Sequence, residues 1–243
     1  MSKGTAIITG AANGIGQAYA QRLASDGFDI AVADVVEAST TKILVETLGR
    51  QFFSAIVDVT AANSVNQFAS DVNNYMPPVT ALINNAGIYP WKSFEDTDYE
   101  TWRKVISVNL DGPFLMCKAF VPGMKERNFG RIVNVASTTF WLNAPQMTAY
   151  IASKGGVIGF TRALASEVGQ FGITANVIAP GLTNTKTMHN VNDEIFDYLP
   201  KLQAIPKMIQ PEDLVGVVSF LCSHDSAFIT GQTIATDGGQ VRI

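Results

Sequence analysis

Residues 5–25 read TAIITGAANGIGQAYAQRLAS: a short apolar run, a glycine-rich turn, and a stretch whose apolar residues recur at helical spacing. The apolar run predicts a buried strand at 5–9, and the spacing that follows the turn predicts a helix over 15–25. The same pair of signals recurs to the end of the chain. It predicts further strands at 28–33, 52–57, 79–83, 131–136, 174–178 and 233–235, and further helices at 37–48, 62–75, 98–126, 148–169 and 211–222.

Strands that are apolar throughout and alternate with helices are typical of a parallel sheet covered on both faces. We therefore predict an α/β fold, a Rossmann-like doubly wound parallel sheet flanked by helices, in a single domain over 1–243. No Pro/Gly/Ser-rich linker, charge block or internal repeat divides the 243 residues. The segment 181–206 is long for a connection and rich in apolar residues. We expect this irregular segment to form a substrate lid rather than a linker.

Composition and charge exclude several classes of protein. The net charge is −4 and the 17 Lys and Arg residues are scattered, which argues against a nucleic-acid or anionic-membrane partner. The sequence shows no signal-peptide pattern and no apolar stretch of the ~18 residues that a membrane helix needs. Two cysteines, Cys117 and Cys222, are too few for a disulfide framework, so we expect free thiols in a cytoplasmic protein. His189 and His224 stand alone, so no metal site is expected.

The first turn has the chemistry of a dinucleotide site. Gly10, Gly14 and Gly16 allow a tight turn and a close approach of the backbone to a pyrophosphate, which then lies on the helix N-terminus. Asp34 ends the second predicted strand, where an acid binds an adenosine ribose and repels a 2′-phosphate. No Arg or Lys lies in the turn or just after Asp34, so the sequence favours NAD over NADP. Glycines that only shape the turn, and an acid that only favours the next helix start, remain alternatives.

A second group of residues suggests acid–base chemistry. Tyr150 and Lys154 lie four apart in a predicted helix and therefore project from one face. A phenol has an ordinary pKa near 10, so it needs a nearby cation to act as a base at neutral pH. Ser137 follows another predicted strand, at the sheet edge where active sites of open α/β folds lie. Each signal alone could be accidental or structural, whereas the group predicts a catalytic site.

With these residues in place, the sequence resembles the short-chain dehydrogenase/reductase family over essentially its whole length. The motifs that carry the resemblance are TGAANGIG (9–16), Asp34, Asp58-Val59, NNAG (84–87), Asn109, Ser137, Tyr150 with Lys154, Pro180-Gly181 and Asp237-Gly238. The segments GFTRALASEV (159–168) and FITGQT (228–233) are most similar to bacterial NAD-dependent members that act on aryl alcohols or pyridoxal.

The resemblance implies four catalytic roles. Tyr150 donates a proton to the carbonyl oxygen during reduction and removes it during oxidation. Lys154 lowers the pKa of Tyr150 and holds the nicotinamide ribose. Ser137 hydrogen-bonds the substrate oxygen in the manner of an oxyanion-hole donor. Asn109 fixes a water that continues a proton path to solvent.

The resemblance also implies where NAD(H) and the substrate bind. The cofactor residues are Gly10, Asn13, Gly14, Ile15 and Gly16 at the pyrophosphate, Asp34 at the adenosine ribose, Asp58 and Val59 at the adenine, Asn85, Ala86 and Gly87 at the strand end beside the ribose, and Pro180, Gly181, Thr183 and Thr185 near the carboxamide, together with Tyr150 and Lys154. The substrate residues are Tyr89, Trp91, Thr139, Trp141, Met147, Met188 and Phe196. This lining is apolar and rich in aromatic rings, which favours a hydrophobic or aryl alcohol/ketone substrate.

Several alternatives stay open at this point. Lys92, Lys186, His189 and Lys201 leave an anionic substrate possible, and a pyridoxal-type alcohol fits the same branch of the family. A 3-oxoacyl-carrier-protein reductase is a rival, although such enzymes prefer NADPH and dock the carrier on two basic residues, of which only Arg131 is matched while Phe171 replaces the other. A non-catalytic NAD-binding module is a remote rival. The resemblance and the 16% of charged residues favour a homotetramer with interfaces on 98–126, 148–169 and the last strand.

Overall fold

The fold is one parallel sheet with helices on both faces. A computed structural model describes residues 2–185 and 193–242, and within them seven strands pair in the order β3-β2-β1-β4-β5-β6-β7. The strands are β1 (Thr5–Thr9), β2 (Asp29–Asp34), β3 (Phe52–Ile56), β4 (Val79–Asn84), β5 (Gly130–Val135), β6 (Ile173–Pro180) and β7 (Thr233–Thr236). The helices are α1 (Gly14–Ser25), α2 (Ser39–Thr47), α3 (Ala62–Tyr75), α4 (Tyr99–Ile106), α5 (Gly112–Glu126), α6 (Thr139–Leu142), α7 (Thr148–Val168), α8 (Asp193–Leu202) and α9 (Pro211–Leu221).

The inner strands are buried on both faces, as the sequence predicted, whereas the edge strands β3 and β7 are partly exposed. Every residue of β1, β5 and β6 is buried. One apolar cluster lies between the sheet and α1 and α9, and a second lies between the sheet and α3, α5 and α7. The strand order reverses between β1 and β4, which opens a crevice at the carboxyl ends of the strands. Gly10, Asp34 and Ser137 lie at the carboxyl ends of β1, β2 and β5, at this edge of the sheet.

The helix predicted over 98–126 is interrupted. A π-helical turn, Ser107–Asp111, separates α4 from α5. Pro113 explains the interruption, because its ring would clash with the carbonyl of Asn109 and it has no N–H to donate to that carbonyl. The wider turn places Asn109, which is buried, inside the bend.

The expectation of an irregular segment at 181–206 was wrong in part, because α8 lies within it. Both ends of the segment are tied to the body of the protein. Thr183 forms an isolated bridge with Ile209, and the Ile205 amide donates to the Gly238 carbonyl at 2.8 Å. The short helix α6 was not predicted either, because four residues carry too little periodicity.

Cys117 and Cys222 are both buried and free. Among the described residues, no helix combines the length and the apolar character that crossing a bilayer requires.

Candidate active site

Each glycine of the first turn is needed either for its backbone angle or for a close approach of backbone. Gly10 and Gly14 have φ angles of +66° and +58°, which L side chains rarely adopt. A Cβ on Gly16 would overlap the Gly10 carbonyl oxygen and lie 2.7 Å from Asn85 Nδ2. A Cβ on Gly14 would meet only Thr185, at 3.7 Å. The turn therefore presents open backbone at the start of α1, which is the form of a phosphate-binding helix N-terminus.

The end of β4 holds this turn in place. The Asn85 side-chain amide donates to the carbonyls of Thr9 and Gly10 at 3.0 and 2.9 Å. The Thr9 hydroxyl in turn accepts from the amides of Asn85 and Ala86 at 3.0 and 2.9 Å. Asn85 and Ala86, predicted as cofactor residues, thus brace the turn from the neighbouring strand. Thr9 belongs to the same brace and was missed, although it stands in the motif itself.

Asp34 lies at the carboxyl end of β2, beside the turn. Its Oδ2 accepts from the Ala12 amide at 2.8 Å, and its Oδ1 accepts from the Val36 amide at 3.2 Å. The carboxylate is partly exposed, so it remains accessible from the crevice. Its position fits an adenosine ribose, and its bond to Ala12 shows that it also supports the turn.

The other predicted cofactor residues surround the same crevice. Asp58 is exposed and its Oδ1 accepts from the Thr60 amide and hydroxyl, while neighbouring Val59 is buried. Pro180 ends β6, and the Thr183 hydroxyl donates to the Gly181 carbonyl at 3.0 Å. Open glycine backbone, an acid at the end of β2 and hydroxyls after β6 fit the parts of a nicotinamide dinucleotide, in which these residues would hold pyrophosphate, ribose and carboxamide.

Tyr150, Lys154 and Ser137 meet between α7 and the end of β5. Lys154 Nζ is buried, donates to the Val135 carbonyl at 2.7 Å and lies 5.6 Å from the centroid of the Tyr150 ring. Ser137 follows β5 and lies close enough to Tyr150 to influence the phenol. Gly87 lies next to both polar side chains, because a Cβ there would be 3.3 Å from Asn109 Oδ1 and 3.5 Å from Lys154 Nζ. The spacing of residues 150 and 154 thus brings phenol and ammonium to one side of α7, as predicted.

The electrostatics differ from the expectation that Lys154 lowers the pKa of Tyr150. Burial raises the pKa of Tyr150 to about 12, against the hydrogen bond with Ser137, which acts in the opposite direction. Burial also lowers the pKa of Lys154 to about 8. Burial is therefore the largest influence on both groups, and it disfavours the charged form of each.

The depressed pKa of Lys154 predicts a pH effect on stability. Between pH 8 and ~10.4 the unfolded lysine keeps a proton that the folded one loses, so the contribution of this group to stability rises with pH. Relative to Lys154→Met, we expect the wild type to gain up to about 3 kcal/mol in free energy of unfolding across this window. Urea unfolding at several pH values measures the difference. The same substitution at exposed Lys118 is the control, and an equal, pH-independent difference for both variants would contradict this prediction.

Asn109 links three parts of the site. Its Oδ1 accepts from the Ile88 amide at 2.9 Å, and its Nδ2 donates to the Ile88 carbonyl and to the Ser153 hydroxyl at 2.9 and 3.0 Å. Ser153 donates to the Tyr150 carbonyl at 2.6 Å. The side chain therefore anchors the loop after β4 to α7. Because both of its polar atoms have partners, the predicted water would have to bind to the main-chain carbonyl of Asn109. Ser153 was missed, since a serine inside a helix carries no signal of its own.

Some of the predicted substrate residues contact the catalytic side chains, and others are buried or pack among apolar residues. Tyr89 packs edge-on against Tyr150 with ring centroids 6.2 Å apart, and Thr139 donates to the Ser137 hydroxyl at 3.0 Å. Trp91 is 46% exposed. Trp141 packs against a small apolar cluster that includes Ile158, and Met147 is buried. Met188 and the side chain of Phe196 lie outside the described residues, as do Lys186 and His189.

Two further features bear on the substrate. Lys92, a candidate for an anionic group, already donates to the Thr101 hydroxyl at 2.9 Å and pairs with Asp98 at 3.5 Å. A surface cavity of about 330 Å³ opens beside the start of α7 and is lined by Phe94, Thr97, Tyr99, Trp102 and Thr148. It contains none of the catalytic residues. In the part of the chain that the structure describes, no three His, Cys, Asp or Glu side chains converge as a metal site would require.

Comparisons with known proteins agree on the kind of molecule. A family described as Enoyl-(Acyl carrier protein) reductase matches residues 10–240. The chain is similar to a 3-oxoacyl-[acyl-carrier-protein] reductase of Synechocystis sp., at 36% identity over 97% of this chain and 96% of the relative. It is also 34% identical to the (2S)-[(R)-hydroxy(phenyl)methyl]succinyl-CoA dehydrogenase subunit BbsD of Thauera aromatica, over 97% and 95% of the two chains. A solved structure from Sinorhizobium meliloti, assigned as a short-chain alcohol dehydrogenase, superposes with a TM-score of 0.95 at 32% identity, over 99% and 97%.

Proposed function

The chain belongs to the short-chain dehydrogenase/reductase family, and we propose that it is an NAD(H)-dependent oxidoreductase that interconverts a secondary alcohol and a ketone. One observation carries this proposal: phenol, ammonium and serine hydroxyl converge beside the glycine-rich turn, at the carboxyl ends of the strands. A fold alone does not specify a reaction, whereas this group of side chains does.

The chain's own residues account for the proton chemistry. A bound reduced nicotinamide supplies the hydride. Tyr150, protonated at neutral pH because burial raises its pKa to about 12, is ready to donate a proton to a substrate carbonyl oxygen. Ser137 can donate a second hydrogen bond to that oxygen and stabilise charge that develops on it. Lys154 remains mostly charged at neutral pH, so it favours the phenolate that is left behind.

The preference for NAD(H) rests on Asp34 and its neighbours. The carboxylate oxygens hold the Ala12 and Val36 amides, so the charge is fixed at the end of β2. Val35 and Val36 are exposed, and no basic side chain stands there to receive a 2′-phosphate. A negative charge at this place favours ribose hydroxyls over a phosphate.

An apolar or aryl substrate is supported by the side chains beside Tyr150. Tyr89 contacts the Tyr150 ring directly, and Trp91, two residues further along the same loop, is partly exposed. Aromatic walls with one or two convergent polar groups are typical of sites for hydrophobic small molecules. The substrate named for the relative from Thauera aromatica has a phenyl group beside its hydroxyl, which supports an aryl alcohol as the substrate class. A pyridoxal-type alcohol is the alternative within it.

The similarity to the Synechocystis protein favours a second candidate function, a 3-oxoacyl-carrier-protein reductase. The surroundings of Arg131, the basic residue that would dock the carrier, do not support it. Arg131 is buried, and its guanidinium donates to the carbonyls of Ser223, Gly130 and Gly172. Phe171, at the other docking position, lies under the Lys125 ammonium at 4.7 Å. Arg131 therefore works as a structural residue and offers no exposed charge to a carrier.

We also propose self-association into a homotetramer. Phe114 on α5 is 47% exposed and pairs with Phe160 on α7, with centroids 6.2 Å apart. Phe228, just before β7, is fully exposed. Exposed aromatic rings on the predicted interface helices and beside the last strand support this assembly.

Parallel assays test the substrate and the cofactor together. With acetophenone as the ketone, we expect kcat/KM with NADH to exceed that with NADPH by about 10²-fold, since one charge at Asp34 opposes the extra phosphate. Turnover of an acetoacetyl thioester is expected to be much slower than that of acetophenone. A faster reaction of the thioester with NADPH would overturn both the NADH preference and the aryl ketone substrate, and would favour a 3-oxoacyl-carrier-protein reductase.

A further inference from the structure

The peptide group between Ala11 and Ala12, in the middle of the glycine-rich turn, is held at both ends. Its N–H, on Ala12, donates to Asp34 Oδ2 at 2.8 Å. Its carbonyl, on Ala11, accepts from the Thr41 hydroxyl at 2.7 Å. Asp34 comes from the end of β2 and Thr41 from α2, so two separate elements fix one peptide plane.

Thr41 is well placed to set the orientation of that plane. It is completely buried, and its Oγ1 accepts from Gln17 Nε2 at 2.9 Å. The hydroxyl has a single hydrogen, and the 2.7 Å distance to the Ala11 carbonyl, against 3.4 Å to the Ala12 carbonyl, shows where it points. Gln17 also donates to the Ala12 carbonyl at 3.2 Å. The hydroxyl thus donates to the turn and accepts from a side chain of α1.

We propose that Thr41 is a positioning residue for cofactor selection, which orients the Asp34 carboxylate through the Ala11–Ala12 peptide. Without the Thr41 hydroxyl, the buried Ala11 carbonyl loses its partner and the plane can rotate. The Ala12 N–H then leaves Asp34 Oδ2, and only the longer bond from Val36 to Oδ1 holds the carboxylate. This inference rests on the proposed function, since it assumes that Asp34 faces the adenosine ribose.

The test is a set of threonine substitutions on one helix. Thr41→Val keeps the shape and removes the hydroxyl, Thr41→Ser keeps the hydroxyl, and Thr47→Val is the matched control. Thr47 ends α2, and its hydroxyl bonds only to the Ile43 carbonyl at 2.7 Å, away from the turn. Direct titration of each variant with NADH and with NADPH gives the two affinities, and acetophenone reduction at saturating NADH gives kcat.

For Thr41→Val we expect NADH binding to weaken about tenfold and the NADH-over-NADPH affinity ratio to fall, because a buried carbonyl loses its donor. The kcat at saturating NADH should stay within about twofold, since Thr41 does not touch the reacting atoms. Thr41→Ser should restore the ratio and Thr47→Val should leave it unchanged. If Thr41→Val fails to fold, Gln17→Met, which frees the Thr41 acceptor and the Ala12 carbonyl, should shift the ratio in the same direction.

The outcomes separate this inference from the function on which it rests. A wild-type chain that binds neither cofactor overturns the proposed function. A wild type that binds NADH, with a Thr41→Val ratio equal to its own, overturns the role of Thr41 alone. If Thr41→Val weakens NADH and NADPH binding equally, or if Thr41→Ser does not restore the NADH affinity, Thr41 is a purely structural residue. Either result also overturns its role in cofactor selection.

Discussion

Tyr150→Phe lowers kcat for ketone reduction about 10³-fold, because the phenol that donates the proton is gone. NADH affinity changes by less than about twofold, since the ring and its edge-on contact with Tyr89 are kept. The Lys154 ammonium keeps its bond to the Val135 carbonyl, so its position beside the predicted ribose site does not depend on the phenol. Initial rates of NADH oxidation and direct NADH titration measure the two quantities separately.

Two further variants make this result specific. Ser137→Ala should lower kcat about 10²-fold, because it removes one hydrogen bond to the substrate oxygen and leaves the proton donor in place. Tyr75→Phe, at the exposed end of α3, makes the same substitution far from the crevice and should leave the rate unaltered. A Tyr150→Phe variant as active as the wild type would exclude Tyr150 as the acid.

The same measurement bears on the non-catalytic alternative. A module that only binds NAD(H) would show NADH affinity without turnover in the wild type, with any ketone. Tyr150, Lys154 and Ser137 would then have no reason to converge, and burying an ammonium at Lys154 would serve no chemistry. Turnover that vanishes in Tyr150→Phe while binding persists is consistent only with an enzyme.

Most of the sheet was predictable because its strands are short, apolar and bounded by turn residues. β4 (Val79–Asn84) and β5 (Gly130–Val135) lie within one residue of the predicted 79–83 and 131–136. The π-helical turn was not predicted, although Pro113 marks it, because hydrophobic periodicity does not report which carbonyls lose a donor. The helix α8 was missed because the prolines at 200 and 206 indicated an irregular segment, although Pro200 lies inside the helix.

The site was predictable as a set of positions and less so as a set of interactions. Residue spacing placed Tyr150 and Lys154 on one side of α7, yet the balance between burial and charge at the phenol depends on packing that spacing does not encode. The side chain of Asn109 is engaged by Ile88 and Ser153, neither of which its own motif indicates. Motifs identify which residues face the crevice, whereas tertiary contacts decide what each polar atom does there.

Asp34→Asn is expected to raise the ratio of kcat/KM with NADPH to that with NADH about 10²-fold. A carboxylate about 5 Å from a phosphate charge costs about 3 kcal/mol at an effective dielectric constant near 20, and the amide removes this repulsion. The asparagine keeps an oxygen that can accept from the Ala12 amide, so the turn retains its support. Initial rates with both cofactors, at fixed acetophenone, give the ratio.

The matched control is Asp58→Asn, at the predicted adenine site. Adenine is common to both cofactors, so this variant should weaken NADH and NADPH alike and leave their ratio unchanged. Asp34 has two possible roles, since its carboxylate both faces the crevice and holds the Ala12 amide. If it only braced the turn, Asp34→Asn would weaken both cofactors by the same factor, as Asp58→Asn does. A change in the ratio confined to Asp34→Asn would show that the charge itself selects the cofactor, and its bond to Ala12 fixes where that charge stands.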